Sequence, residues 1–300
     1  MDAAGLEAPP LFLDEPTRRA FRRAWRAMRA YAAGTAAAPN GWPLHDWLRW
    51  LVRAEPVVLH GSNNGAIDTF VPRWQMDYQA RFRKGIWATA DGIWPLFFAI
   101  VDRRGYEGTL RNGCWWEEAP GGGRRKLYRF SLNAAMLRRG CWTTGTVYIL
   151  PRGPFQQAIG EDGEPLEEWV SERPVRPLAR IRVRPSDFPF LDLVQGHEDP
   201  PAVRDSPGIP PPEWPVVAVE PGALERLAGV YAVDPEMAFV VSRIDGHLGL
   251  AATTGFLKTD LWPVAEGRFV SRELDLQVVF RPDGLVLRLF GRETPFPKAP

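Results

Sequence analysis

Residues 57–71 read VVLHGSNNGAIDTFV, an apolar run that gives out at a His, a Gly and a Ser. Val57, Val58 and Leu59 follow Pro56 and precede a Gly/Asn cluster, a pattern that predicts a buried strand running into a loop. His60 and Ser62 then stand at the rim of that strand. Rims of this kind serve ligands well, because a rigid element aims side chains that the loop leaves accessible. An ordinary turn is the plainer reading of the same residues, and the flanking sequence has to decide.

On the N-terminal side the texture is helical. Phe21, Trp25 and Met28 recur at i, i+4 and i+7 and predict a helix to about Tyr31, which Asp14 or Thr17 can cap. Its other face carries Arg18, Arg19, Arg22, Arg23, Arg26 and Arg29, which reads as a solvated face or as a contact for nucleic acid. PLHDWLRWLVRA (43–54) predicts a shorter helix with Pro43 near its first turn and Leu44, Trp47, Leu48 and Leu51 on one side. Residues 1–56 are therefore expected as a helical segment leading into the strand.

On the C-terminal side, to about residue 198, come short strand-like runs: GIWATA, WPLFFAIVD, KLYRFSL, TVYILP, EWVS and ARIRVRP. None is followed by a long regular helix, so a mixed or antiparallel sheet is expected rather than a doubly wound parallel one. PGGGRRK (120–126) reads as a turn between two such runs. DPPAVRDSPGIPPPEWP (199–215) is too rich in proline for regular structure and marks a linker over 199–222. Beyond it, MAFVVSRI and HLGLAA flank Asp245-Gly246, and LDLQVVF and LVLRLF nearly flank Asp283-Gly284. These are hairpin signals, and 223–300 reads as a small antiparallel β-barrel. The class expected for the whole chain is α+β.

Composition limits the function classes. The 300 residues favour two domains, and 45% hydrophobic with 24% charged residues is a globular composition. A net charge of +1 supplies no global field for nucleic acid or membrane. The acidic, proline-broken start lacks the regions of a secretory signal, and GIWPLFFAIV (92–101) is about half of a bilayer span, so a cytoplasmic location without membrane contact is expected. Cys114 and Cys141 read as reduced packing residues. His45, His60, His197 and His247 lack metal-ligand spacing, so no metal is expected. Walker, GxGxxG and GxSxG motifs are absent.

Two later segments belong beside His60: KGIWATADGIW (84–94) and EEWVSERPVRP (167–177). A strand ending in His-Gly-Ser, then Gly-Ile-aromatic-Ala-Thr, then a Glu opening a strand resembles the ADP-ribosyltransferase superfamily of the histidine-tyrosine-glutamate type, over about 57–185. The resemblance implies a split β-sheet domain over 57–198 with NAD as substrate and no metal. It implies that His60 bonds the adenosine ribose, Gly61 brings its backbone against the nicotinamide amide and Ser62 touches the nicotinamide-side ribose. Trp87 stands where the family has Tyr, keeping a ring for stacking and losing a hydroxyl. Glu168 takes the place of the catalytic glutamate, where a carboxylate stabilises an oxocarbenium-like transition state. Glu167 is the alternative, since neighbours in a strand point to opposite faces. The acceptor is left open as protein, nucleic acid, small molecule or water, as is the oligomeric state.

The C-terminal runs LAGVYAVDPEMAFVVSRIDGHLGLAATTG, LWPVAEGRFVS and VVFRPDG resemble the lipocalin-like barrels appended to β-lactamase-like serine hydrolases. The serine-x-x-lysine motif of those hydrolases is missing here. The competing readings of the first domain make His60 a core histidine bonded to a backbone carbonyl, Trp87 a core aromatic and Glu168 a solvated charge. The protein is then a non-catalytic binding protein with a degenerate transferase fold and an accessory barrel.

Overall fold

The computed structural model describes residues 5–30, 35–36, 41–76, 81–106, 108–160, 162–198, 215–253, 257–272, 275–289 and 291–299. Of the expected linker, residues 199–214 lie outside the described residues. The chain forms two compact units: Met1–Arg73 with Gly85–Asp199, and Trp74–Lys84 with Pro200–Pro300. The helical segment of 1–56 thus shares a unit with 57–198, and a short stretch near residue 80 belongs with the C-terminal strands. Strands account for 46% and helices for 21%, an α+β composition.

The chain opens with β1 (Leu6–Glu7), α1 (Glu15–Ala30), β2 (Thr35–Ala36), α2 (Leu44–Ala54) and β3 (Val57–Ser62). Next come β4 (Arg73–Met76), β5 (Phe82–Thr89), α3 (Trp94–Ile100), β6 (Leu110–Glu118), β7 (Arg124–Asn133) and α4 (Ala134–Arg139). Then follow β8 (Gly145–Pro151), β9 (Gln156–Ile159), β10 (Pro165–Ser171), β11 (Ala179–Val183) and β12 (Gln195–His197). The cap of α1 is Asp14, whose Oδ1 accepts from the Thr17 amide at 2.8 Å, and its apolar stripe buries Phe21, Trp25 and Met28. In α2 the predicted face of Leu44, Trp47, Leu48 and Leu51 is buried.

One element changes type. WPLFFAIVD, expected as a strand, is α3. Asp91 Oδ1 accepts from the Ile93 and Trp94 amides at 2.7 Å each, which satisfies two of the donors that a helix start leaves open. Pro95 sits in the first turn, where its missing N–H costs nothing. Nearly all of its residues are buried, so no polar face advertised a helical period.

The main sheet of the first unit has the order β2-β11-β8-β3-β5-β10-β9, with β4 on β5; along that order the pairs are antiparallel except β2–β11, which is parallel. A four-stranded sheet, β1-β7-β12 with β6 on β7, is parallel at β7–β12. Strands β3 and β5 share a single register pair, Leu59 with Thr89, whereas β3 and β8 share six, so the main sheet is open between β3 and β5. Helix α3 lies directly on β3 and β8. A Cβ on Gly61 would overlap the Pro95 carbonyl oxygen, and one on Gly145 the Ala99 carbonyl oxygen. On this side Val57, Leu59, Val147 and Ile149 join Phe97, Phe130, Phe188 and Phe190 in the larger core. On the other side Val58, Phe70, Ile86, Ala88, Tyr148 and Leu150 form a smaller one.

In the second unit α5 (Pro221–Leu227) precedes β13 (Gly229–Asp234), β14 (Met237–Ile244), β15 (His247–Ala252) and β16 (Lys258–Ala265). The meander continues through β17 (Arg268–Val270), β18 (Leu276–Arg281), β19 (Gly284–Leu289) and β20 (Arg292–Pro297). Each strand is antiparallel to the next, and a bridge between Tyr231 and Lys298 nearly closes the sheet into a barrel. Gly246 turns the first hairpin with φ 75°. The second turns at Pro282-Asp283, because Gly284 is already in β19 opposite Arg281. Trp74 and Phe82, from the early stretch of this unit, pack on the barrel core: Phe82 meets Phe239 and Phe296 edge-on at 6.2 and 6.0 Å. Trp74 Nε1 donates to Asp234 at 2.7 Å, and Lys84 pairs with Asp234 and Glu236. Among the described residues no helix is long and apolar enough to cross a membrane.

Candidate functional site

β3 runs on through Ser62, so His60, expected at the rim of the strand, lies within it. His60 pairs with Tyr148, its ring stands edge-on to Phe70 at 4.8 Å, and Nδ1 lies 2.6 Å from the Trp87 carbonyl oxygen. A carbonyl only accepts, so Nδ1 carries the hydrogen and Nε2 presents a lone pair. Nε2 bonds to no described residue and is not sealed from solvent. Burial pulls the imidazole pKa below its ordinary 6.5 against the opposing effect of the Trp87 bond, so the ring is neutral at pH 7. His60 is thus bonded through Nδ1 to a backbone carbonyl of β5, and Nε2 keeps a lone pair.

The residues after it are tied down. Gly61 is required by the approach of α3. Ser62 Oγ accepts from the Asn64 amide at 3.1 Å and fixes the turn out of the strand. Tyr148, which no motif marks, donates from its hydroxyl to the Asn64 carbonyl at 2.7 Å and accepts from the Ile67 amide at 2.9 Å. Asn63 donates to the Ala99 carbonyl and accepts from the Arg103 amide.

Register separates the predicted side chains. Leu59 and Glu168 both lie opposite Thr89, and Val170 lies opposite Trp87. Because paired residues share a face and neighbours alternate, Leu59, Gly61, Trp87, Thr89 and Glu168 face one side, and His60 with Tyr148 faces the other. The three strands β3, β5 and β10 are adjacent, but the three side chains do not converge on one face. Trp87 and Glu168 are both half-buried, and Glu168 has a partner of its own.

A second locus lies beyond the end of β5. A cleft of about 500 Å³ is lined by Glu7, Arg49, Arg53, Asp91, Trp116, Arg124, Arg125, Lys126, Tyr128 and Glu167 among others. At its base the Lys126 ammonium lies 2.7 Å from Asp91 Oδ2 and 3.0 Å from Glu167 Oε1. Tyr128 donates to Asp91 Oδ2 at 2.7 Å, and Trp116 Nε1 to Glu167 at 2.8 Å. Burial alone would raise the Asp91 pKa, but Lys126, the α3 amides and Tyr128 outweigh it and hold the carboxyl below its ordinary value. Burial would likewise lower the Lys126 pKa, and Asp91 and Glu167 reverse that. Of the neighbouring glutamates, Glu167 lines this cleft; His60, Trp87 and Glu168 do not. The signal for Asp91 was in the sequence: an Asp four residues before Pro95 is a helix start, and a capping carboxylate is a fixed charge.

Burial raises the pKa of both free cysteines, Cys114 and Cys141, which keeps them as thiols. Among the described residues no group of three or more His, Cys, Asp or Glu is placed to hold a metal ion. No known protein-family model matches the chain, and no curated protein matches it either.

Proposed function

We propose that the first unit binds NAD at the opening between β3 and β5 and acts on it as an ADP-ribosyltransferase or NAD glycohydrolase. The observation that carries this reading is the imidazole of His60. Its tautomer is fixed by the Trp87 carbonyl, it is neutral at pH 7, and Nε2 remains to accept from a ribose hydroxyl. The single pair between β3 and β5 fits the split sheet of that superfamily. In the reaction the bond between nicotinamide nitrogen and ribose C1′ breaks with its electron pair leaving on nicotinamide. Glu168 stabilises the positive charge developing on the ribose, and an acceptor hydroxyl or water forms the new bond to C1′ and gives up its proton.

One observation favours a second reading, a binding protein without turnover: Trp87 and Glu168 face away from His60. Nicotinamide release from NAD, with calorimetric titration of NAD on the same sample, separates the two. The transferase reading expects release that Glu168→Gln abolishes while NAD affinity stays within a few-fold, because the carboxylate acts mainly in the transition state. NAD binding that persists in the absence of release supports the binding protein. If NAD neither binds nor turns over, the transferase reading fails and the non-catalytic protein, acting through another ligand or a partner, is the better account.

A further inference from the structure

Helix α1 carries six arginines in sixteen residues, Arg18, Arg19, Arg22, Arg23, Arg26 and Arg29, and all six are exposed. At 3.6 residues per turn they fall within an arc of about 140° and span about 16 Å of the helix axis. The opposite arc, Phe21, Trp25 and Met28, is buried in the core, so the basic arc faces outward by construction. Its charges are hardly used within the protein. Glu15 reaches Arg22 at 3.8 Å, Arg18 donates to the Leu13 carbonyl, and Arg29 lies over the Trp25 ring. Among the described residues Arg18, Arg19, Arg23, Arg26 and Arg29 meet no carboxylate within ion-pair distance. With a net charge of +1 overall, this concentration is local.

We propose that the exposed arginine face of α1 docks the phosphate backbone of a nucleic acid. Planar guanidinium groups suit phosphate oxygens in two-pronged contacts, and rows at i and i+4 present them about 6 Å apart along the axis. A membrane surface fits less well. An interfacial helix lays its apolar face into lipid, and the apolar face of α1 is already committed to the core. Such a contact reads no base edge, so affinity depends on charge and salt rather than on sequence.

The test titrates the full chain onto fluorescent 20-nucleotide single strands and 20-base-pair duplexes of two unrelated sequences, across 50–200 mM salt. If about four phosphates are neutralised, log K falls against log salt with a slope of about −3 to −4, for both sequences alike. The variant Arg22→Gln/Arg23→Gln/Arg26→Gln, which keeps helix-favouring residues, is expected to bind at least about ten-fold more weakly and to flatten the slope by about 2 to 3. Arg22→Lys/Arg23→Lys/Arg26→Lys retains most of the slope. No binding at 50 mM salt, binding that the Gln variant leaves within two-fold, or binding to anionic phosphatidylserine vesicles alone would overturn the proposal.

Discussion

His60 shows how one hydrogen bond selects a chemistry. Its Nδ1 is occupied by the Trp87 carbonyl, so protonation can only add a proton to Nε2, the atom proposed to accept from NAD. A depressed folded-state pKa means that the neutral ring persists as pH falls through 6.5. NAD affinity is therefore expected to hold across pH 8 to 6.5 and to fall only below it, and His60→Ala is expected to remove that acid limb along with most of the affinity. Calorimetric titration across this range checks both. Asp91 makes the complementary case. Its folded-state pKa is lowered, so its contribution is present above the unfolded value of about 3.9 and is lost as pH falls through the folded one. Asp91→Asn leaves an acceptor for the α3 amides but deprives Lys126 of one of its two carboxylates. A loss of about 3 kcal/mol at pH 7 is expected in denaturant unfolding, shrinking toward zero below about pH 4.

Among the elements, α3 decides how the first unit is put together, and it is also where the sequence was hardest to read. The helices α1 and α2 were legible because their apolar residues recur at helical spacing among charged ones, and β5, β7, β8, β10 and β11 were legible as short apolar or alternating runs. WPLFFAIVD has no wet face, so its composition suits a buried strand as well as a buried helix. Asp91 and Pro95 mark it as a helix start, and those two residues outweigh the apolar run. His60 was legible as a polar residue ending an apolar run, but its place inside β3 rather than on a rim was not. The partition of faces was not, because it depends on which strand lies opposite which, and a one-residue change of register reverses it. Glu167 rather than Glu168 reaches Lys126, one residue before the register of β10 with β5 begins. The seating of α3 gives a direct prediction. Gly61→Ala or Gly145→Ala places a methyl group on a helix carbonyl, and each is expected to cost about 3 kcal/mol or more in denaturant unfolding. Gly113→Ala, where a Cβ meets nothing, is expected to fall within about 0.5 kcal/mol.

At the scale of the whole molecule, the second unit is not continuous in sequence. Trp74, Phe82 and Lys84 join a barrel whose strands begin at Gly229. Trp74→Phe removes the bond to Asp234 and is expected to cost about 1–2 kcal/mol. Phe82→Ala strips an aromatic that packs edge-on against Phe239 and Phe296 and is expected to cost about 2–4 kcal/mol. Both losses should be read in the thermal unfolding of the full chain, and unchanged midpoints would mean that the early stretch does not support the barrel. The arrangement also sets a timetable for synthesis. Residue 84 is made more than two hundred residues before Phe296, one of the rings that receives Phe82. At about 5–20 residues per second the early stretch waits roughly 10–40 s beside a nascent chain that has not yet produced its partner strands. During that interval Trp74 and Phe82 are exposed apolar rings for chaperones to shield, and slower translation of the last third of the message lengthens their exposure.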